Sequence, residues 1–250
     1  AMTHNRQILH ATGKWTWMSE HIGDLTHRMS QEGSQSWRYG EAIAGLAECI
    51  LHKDNVTVKG NPGVLSVLED IDVTQQYTVI FRTNAGLLGY AEELMDKGVV
   101  ISIEIDVKNF IRQVNSIIEL MKGAKPFHDN IARFGSFTEL LEYAKESVEI
   151  QRMISTALRP DVSDFLDKLE KNIKASNPTA ILTTAHKSKG LEFDNVVIAD
   201  DFKFGKESPL DMPEQEINLL YVACTRAKFT LEVPKELSDL IDEGEETDEL

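Results

Sequence analysis

The chain has 250 residues, 42% apolar and 27% charged, enough to bury a core and ordinary for a globular protein. No apolar run approaches the roughly 20 residues that cross a bilayer, and no signal peptide opens the chain. The net charge of −15 is awkward for a nucleic-acid binder, because neutralising phosphates takes Lys and Arg.

Along the chain, Ala1-Met2 has the form of a tag scar before a start codon, and the segment to residue 34 has weak periodicity. From Tyr39 to Lys53, Ile43, Leu46, Ala47 and Ile50 recur at helical spacing. Thr78–Phe81 is β-branched and apolar like a buried strand, Leu87–Lys97 is helical and stops at Gly98, and Val99–Ile105 is a second strand. Strand, helix, strand makes a βαβ unit and a parallel sheet. Residues 107–175 change character. Phe110, Val114, Ile117, Ile118 and Met121 mark one amphipathic helix, Phe137, Leu140, Leu141 and Ala144 another, and Phe165, Leu166 and Leu169 a third. The sheet resumes with Ile181–Thr184 and Val196–Ala199, then a helix Glu216–Ala227 and a last strand Phe229–Val233. Glu236–Leu250 holds eight acids and no base, which leaves −7 on the remainder and marks a disordered acidic tail, or one competing with DNA for a basic groove.

Two polar clusters stand out between apolar runs. The first, Ile181-Leu-Thr-Thr-Ala-His-Lys-Ser-Lys-Gly-Leu-Glu-Phe193, sets Thr184, His186, Lys187 and Lys189 in a loop leaving a parallel strand, where such sheets bind ligands, with Gly190 turning into Glu192. A plain solvated loop is the competing explanation. The second, Leu219-Leu-Tyr-Val-Ala-Cys-Thr-Arg-Ala227, puts Ile217, Leu220, Tyr221 and Cys224 on one packing face and leaves Thr225 and Arg226 at the helix end. An isolated Arg there is usually solvated. Two shorter phrases join them: Gln35-Ser-Trp-Arg-Tyr-Gly40 and Phe81-Arg-Thr-Asn-Ala85.

Several patterns lead nowhere. Gly13-Lys14-Trp15-Thr16 lacks the Gly at position 8 and the Ser or Thr at 15 that a phosphate loop requires. Val196–Asp201 resembles a Mg²⁺-binding strand end, but has no phosphate loop to serve. The seven His residues have no metal-ligand spacing, so no metal site is expected. Cys49 and Cys224 lack CxxC spacing and fit reduced core thiols in a cytoplasmic protein.

Together the clusters resemble the last two signature motifs of UvrD/Rep-like superfamily 1 DNA helicases, and within them the F-box DNA helicase branch. The resemblance implies an α/β, RecA-like parallel sheet flanked by helices, with an all-helical insertion. It divides the chain into 1–106 and 179–235 as the two parts of the second RecA-like domain, 107–178 as the insertion, and 236–250 as the tail. It implies that Arg226 is the arginine finger on the γ-phosphate of ATP, that Arg38 is a second such contact, and that Trp37 stacks on the adenine. A planar, permanently charged fork suits the charge that spreads during phosphoryl transfer.

By the same resemblance Glu192 meets the ribose beside the Gly190 turn, and Thr184, His186, Arg82 and Asn84 hold single-stranded DNA. A strand-end turn with Asn84 capping the next helix explains the last pair as well. Gln7 stands as the γ-phosphate sensor of a damaged third motif, with His10, Thr12 and Gly13 at positions where aromatic residues and an Arg are usual. The nucleotide-gripping first half of such an enzyme, with its phosphate loop and Mg²⁺ ligands, is not in these residues.

The expectation is therefore the C-terminal part of an ATP-dependent helicase, inactive alone. Its partners would be single-stranded DNA and a domain or subunit that carries the phosphate loop. The alternatives are a non-catalytic helicase-derived module that binds DNA or protein, and an unrelated scaffold with chance motifs. The family reading requires Arg38, Glu192 and Arg226 to converge.

Overall fold

A computed structural model describes residues 34–51, 57–205 and 208–239. Gln7, His10, Thr12, Gly13 and the acidic stretch from 240 onward lie outside the described residues. In chain order the elements are β1 (Ser34–Gln35), α1 (Glu41–Ile50), β2 (Val58–Lys59), β3 (Val67–Leu68), β4 (Tyr77–Phe81), α2 (Asn84–Asp96), β5 (Ile101–Ile103) and α3 (Val107–Met121). Then follow α4 (Asp129–Ala132), α5 (Phe137–Ala144), α6 (Val148–Ala157), α7 (Val162–Lys171), β6 (Ala180–Thr184), β7 (Phe193–Ile198), α8 (Glu214–Cys224) and β8 (Ala227–Glu232).

The main sheet has six strands in the order β3-β8-β7-β4-β6-β5. Its recorded pairs are parallel: Thr78 lies opposite Val196, Phe193 opposite Ala227, Val67 opposite Thr230, and Ile101 opposite Ala180. A parallel strand covered on both faces reads as a continuous apolar run, and all five residues of β4 are buried. The fold is thus α/β, a parallel sheet flanked by helices, with helices inserted between β5 and β6.

The described residues divide into two compact units, one running to Arg82 and resuming at Thr183, the other spanning Thr83–Leu182. In the first, α8 packs on β7 and α1. Every residue from Ile217 to Cys224 is buried, rather than the single face that the spacing suggests, because α1 covers the side turned away from the strand. The helix also ends earlier than expected, at Cys224, so Arg226 sits in the turn just before β8.

In the second unit, the Thr83 hydroxyl accepts from Gly86 N at 2.9 Å and caps α2, so Thr83 takes the capping role open to Asn84. Asp106, Ser136 and Ser147 cap α3, α5 and α6 in the same way. Val107, Phe110, Val114, Ile117 and Leu120 form the buried stripe of α3, which ends at Gly123 with φ +76°. On α2, Glu92 accepts from Arg152 at 2.9 Å and also from Arg159. Burial pushes the Glu92 carboxyl up, but the bonds from Arg159 and Arg152 outweigh it and hold it below the usual carboxylate range.

Replacing this carboxylate by an amide removes the negative charge and one of the two oxygens that the guanidiniums share. Glu92→Gln is expected to lower the stability of this unit by about 2 kcal/mol in denaturant unfolding. A carboxylate with a depressed pKa stabilises above its unfolded pKa and ceases to as protons return. The difference between variant and wild type therefore holds at neutral pH and closes as pH drops below about 4.3.

Candidate functional site

The loop after β6 is wound tightly on itself. Ser188 N donates to Thr184 O at 2.8 Å, Ser188 Oγ donates to Ala185 O at 3.0 Å, and Lys187 N donates to Thr184 Oγ1 at 3.4 Å. Thr184 and Ser188 are buried by this winding, while His186, Lys187 and Gly190 face outward. Burial holds the Lys189 ammonium below the usual lysine range. Gly190 takes φ +80°, a left-handed conformation open to glycine, and the chain turns through it to an exposed Glu192.

Arg226 is fully buried, which neither its residue type nor its place at a helix end suggests. Its Nε donates to Val222 O at 2.8 Å, one terminal nitrogen to Leu191 O at 3.1 Å, and the other to Thr225 Oγ1 at 3.1 Å. Burial, and then the positive charge of Arg38, push its pKa down to about 9, against the pull of Tyr221, Tyr39 and Glu192. It stays a cation at neutral pH.

Arg38 approaches from the segment between β1 and α1. Its Nε donates to Glu192 Oε2 at 3.1 Å and a terminal nitrogen donates to Thr225 O at 2.9 Å. The structure thus brings Arg38, Glu192 and Arg226 together, although 154 positions separate the first two. Two guanidiniums this near each other, with only Arg38 bonded to a carboxylate and Arg226 held by carbonyl and hydroxyl oxygens, favour a multiply charged anion. Beside them the Trp37 indole is 79% exposed, a flat apolar face turned to solvent.

What fixes this segment is backbone. Asn61 N donates to Tyr39 O at 2.8 Å, and the Asn61 amide donates to Trp37 O at 3.2 Å. Below it two glycines pack against each other so closely that a Cβ on Gly60 would stand 2.3 Å from Gly40 C, and one on Gly40 2.1 Å from Val64 O. Asn61 and the two glycines were not singled out from the sequence. A Gly-Asn-Pro-Gly turn is a weak signal, and nothing in it says what the turn supports.

The other candidate residues are placed as follows. Arg82 forms a two-pronged bond with Glu216, at 2.6 and 2.7 Å, and its N–H donates to Asp201 Oδ1 at 2.7 Å. A phosphate reaching Arg82 must share or displace Glu216. Asp201, set aside above as a Mg²⁺-ligand look-alike, thus anchors the end of β4. Asn84 opens α2, exposed, with its N–H on Glu149 Oε1 at 2.9 Å. Among the described residues no group of three or more His, Cys, Asp or Glu could hold a metal ion.

Comparison with known proteins adds to this geometry. The family described as UvrD-like helicase C-terminal domain matches residues 72–236. The chain is 31% identical over 236 residues to F-box DNA helicase protein 1 of Schizosaccharomyces pombe, covering 79% of this chain and 26% of that protein. It is 27% identical over 247 residues to F-box DNA helicase 1 of Gallus gallus, covering 83% and 24%. The chain therefore spans about a quarter of the length of the curated relatives it matches. Among solved structures, the C-terminal domain of a possible DNA helicase from Lactobacillus plantarum WCFS1 aligns over 82% of this chain and 94% of that one, at 16% identity and a TM-score of 0.27.

The glycine contact gives a direct test of the scaffold. Gly60→Ala forces backbone apart and is expected to cost about 2 kcal/mol or more in denaturant unfolding. Gly63→Ala, whose Cβ would meet only the Asn61 side chain at 3.3 Å, is expected to cost far less.

Proposed function

The chain belongs to the UvrD-like helicase C-terminal domain family, and on that premise we propose that it is the second motor domain of an ATP-dependent superfamily 1 DNA helicase. The observation that carries this reading is the meeting of Arg38, Glu192 and Arg226 beside an exposed Trp37. In this role the Trp37 indole stacks on adenine and the Glu192 carboxylate accepts from a ribose hydroxyl beside the Gly190 turn. Arg38 and Arg226 bind the γ-phosphate and stabilise the charge that develops on it during transfer.

Arg226 reaches the phosphate by exchanging the Leu191 O partner of one terminal nitrogen, since Leu191 is an exposed residue while the side chain of Arg226 itself is buried. Arg38 already sits on an exposed carboxylate and can exchange that partner for a phosphate at small cost. Thr184, His186, Arg82 and Asn84 contact single-stranded DNA, with His186 and Asn84 exposed. Gln7 senses the same phosphate. The phosphate loop and the Mg²⁺ ligands come from another domain or subunit, and the reduced thiols Cys49 and Cys224 suit a cytoplasmic setting.

Half a cleft does not hold Mg·ATP tightly, so the chain alone is expected to show no ATPase activity. Mixed with a polypeptide that supplies the phosphate-loop domain, it is expected to hydrolyse ATP in the presence of DNA, and Arg226→Ala is expected to lower kcat by about 10³-fold or more. DNA-stimulated hydrolysis by the isolated chain, abolished by the same substitution, would overturn the half-cleft reading. A mixture that stays inactive while the chain still binds DNA would instead favour a non-catalytic module.

For the DNA contacts, fluorescence anisotropy with a single-stranded oligonucleotide is expected to show affinity falling as salt rises. Removing the exposed imidazole in His186→Ala is expected to weaken binding by about 3- to 10-fold, the worth of one hydrogen bond.

A further inference from the structure

We propose that Glu216 is an internal competitor for the phosphates of the strand, a residue that sets how tightly Arg82 holds single-stranded DNA. The inference rests on the DNA contact proposed above for Arg82. The pair is two-pronged: Arg82 Nε donates to Glu216 Oε2 at 2.6 Å and a terminal nitrogen donates to Oε1 at 2.7 Å. Neither side chain is enclosed, with 30% of the arginine and 25% of the glutamate exposed. A carboxylate and a phosphodiester present the same pair of oxygens to the edge of a guanidinium. Glu216 holds that edge of Arg82, so a phosphate gains it by replacing the carboxylate.

The geometry separates holding Arg82 in place from occupying its charge. Arg82 N–H donates to Asp201 Oδ1 at 2.7 Å, which fixes the backbone at the end of β4 without any help from Glu216. Glu216 is fixed independently as well. It lies in the first turn of α8, where the helix dipole favours a carboxylate, and its N–H donates to Pro213 O at 2.8 Å. Every side chain from Ile217 to Cys224 is buried, so the helix does not carry the carboxylate after an arginine that turns to a ligand.

The result is an exchange of partners. Arg82 binds a phosphate only in the fraction of molecules in which it has left Glu216, and the apparent affinity falls by that fraction. A partly exposed ion pair leaves roughly one molecule in six open. The same acceptor speeds release, because the arginine that lets go of a phosphate does not have to stand unpaired.

The test is fluorescence anisotropy of the whole chain with a single-stranded oligonucleotide at low salt. Glu216→Gln is expected to tighten binding about fivefold. Glu214→Gln removes the same charge from the same turn, on an exposed residue, and is expected to change affinity less than about twofold. Arg82→Ala is expected to weaken binding, and in that background Glu216→Gln is expected to do no more than Glu214→Gln. Should Glu216→Gln fail to fold, Glu216→Asp keeps the charge, shortens the reach and is expected to tighten binding by a smaller factor.

If Arg82→Ala weakens binding but Glu216→Gln does no more than Glu214→Gln, or lowers affinity, the competition is overturned and the DNA role of Arg82 stands. Tightening by Glu216→Gln that persists without Arg82 would overturn it too. Unchanged affinity in Arg82→Ala would remove the DNA role of the arginine itself, and a wild-type chain that binds no oligonucleotide would remove both.

Discussion

A guanidinium kept out of water has to be met by oxygens, and at Arg226 that requirement organises the surrounding chain. At the end of α8 the Arg226 N–H bonds to Ala223 O, three residues back, so Val222 O is left without its usual helical donor. Arg226 Nε takes that carbonyl, and the Thr225 hydroxyl shares it at 3.2 Å. The cation thus sits at the carbonyl end of the helix, where the aligned peptide dipoles favour positive charge. Leu191 O supplies a further acceptor, which ties the loop after β6 to the same point. Phe193 N donates to Arg226 O at 3.0 Å, so one residue sets both the loop and the register of β7 on β8.

The helix α8 then links two separate chemistries. Its first turn carries Glu216, which grips Arg82 at the end of β4. Its far end presents Arg226 beside Arg38 and Glu192. With every side chain between Ile217 and Cys224 buried, the helix has little freedom to move one end without the other. In the proposed motor this is a rigid element between the DNA contacts and the phosphate contacts. The Thr83–Leu182 unit is stabilised by other means, namely side-chain caps on its helices and the Glu92 cluster of arginines.

Much of the fold is visible in the sequence because its signals are local. Apolar, β-branched runs mark β4, β6 and β7, the helical spacing of Phe110, Val114 and Ile117 marks α3, and Gly98 and Gly123 mark helix ends. The resemblance of the two polar clusters to helicase motifs agrees with the family match and with the F-box DNA helicase relatives. Boundaries were less legible. The strand expected over Val99–Ile105 shortens to Ile101–Ile103, and the helix expected to reach Ala227 stops at Cys224. Propensity changes gradually along a chain, whereas a ladder ends where its partner does.

The sequence by itself determined the order of β4, α2, β5, β6, β7, α8 and β8 with a helical insertion between β5 and β6, the type of sheet, and which short phrases hold the chemistry, since each is written in residues close along the chain. Only the tertiary structure decided that Arg226 is buried, that Arg38 rests on Glu192 and Thr225, that Glu216 grips Arg82, and that Gly40 and Gly60 meet backbone to backbone. These are pairings between distant residues whose partners are chosen by packing and by the cost of leaving a buried polar group unbonded. No single stretch of sequence records that choice.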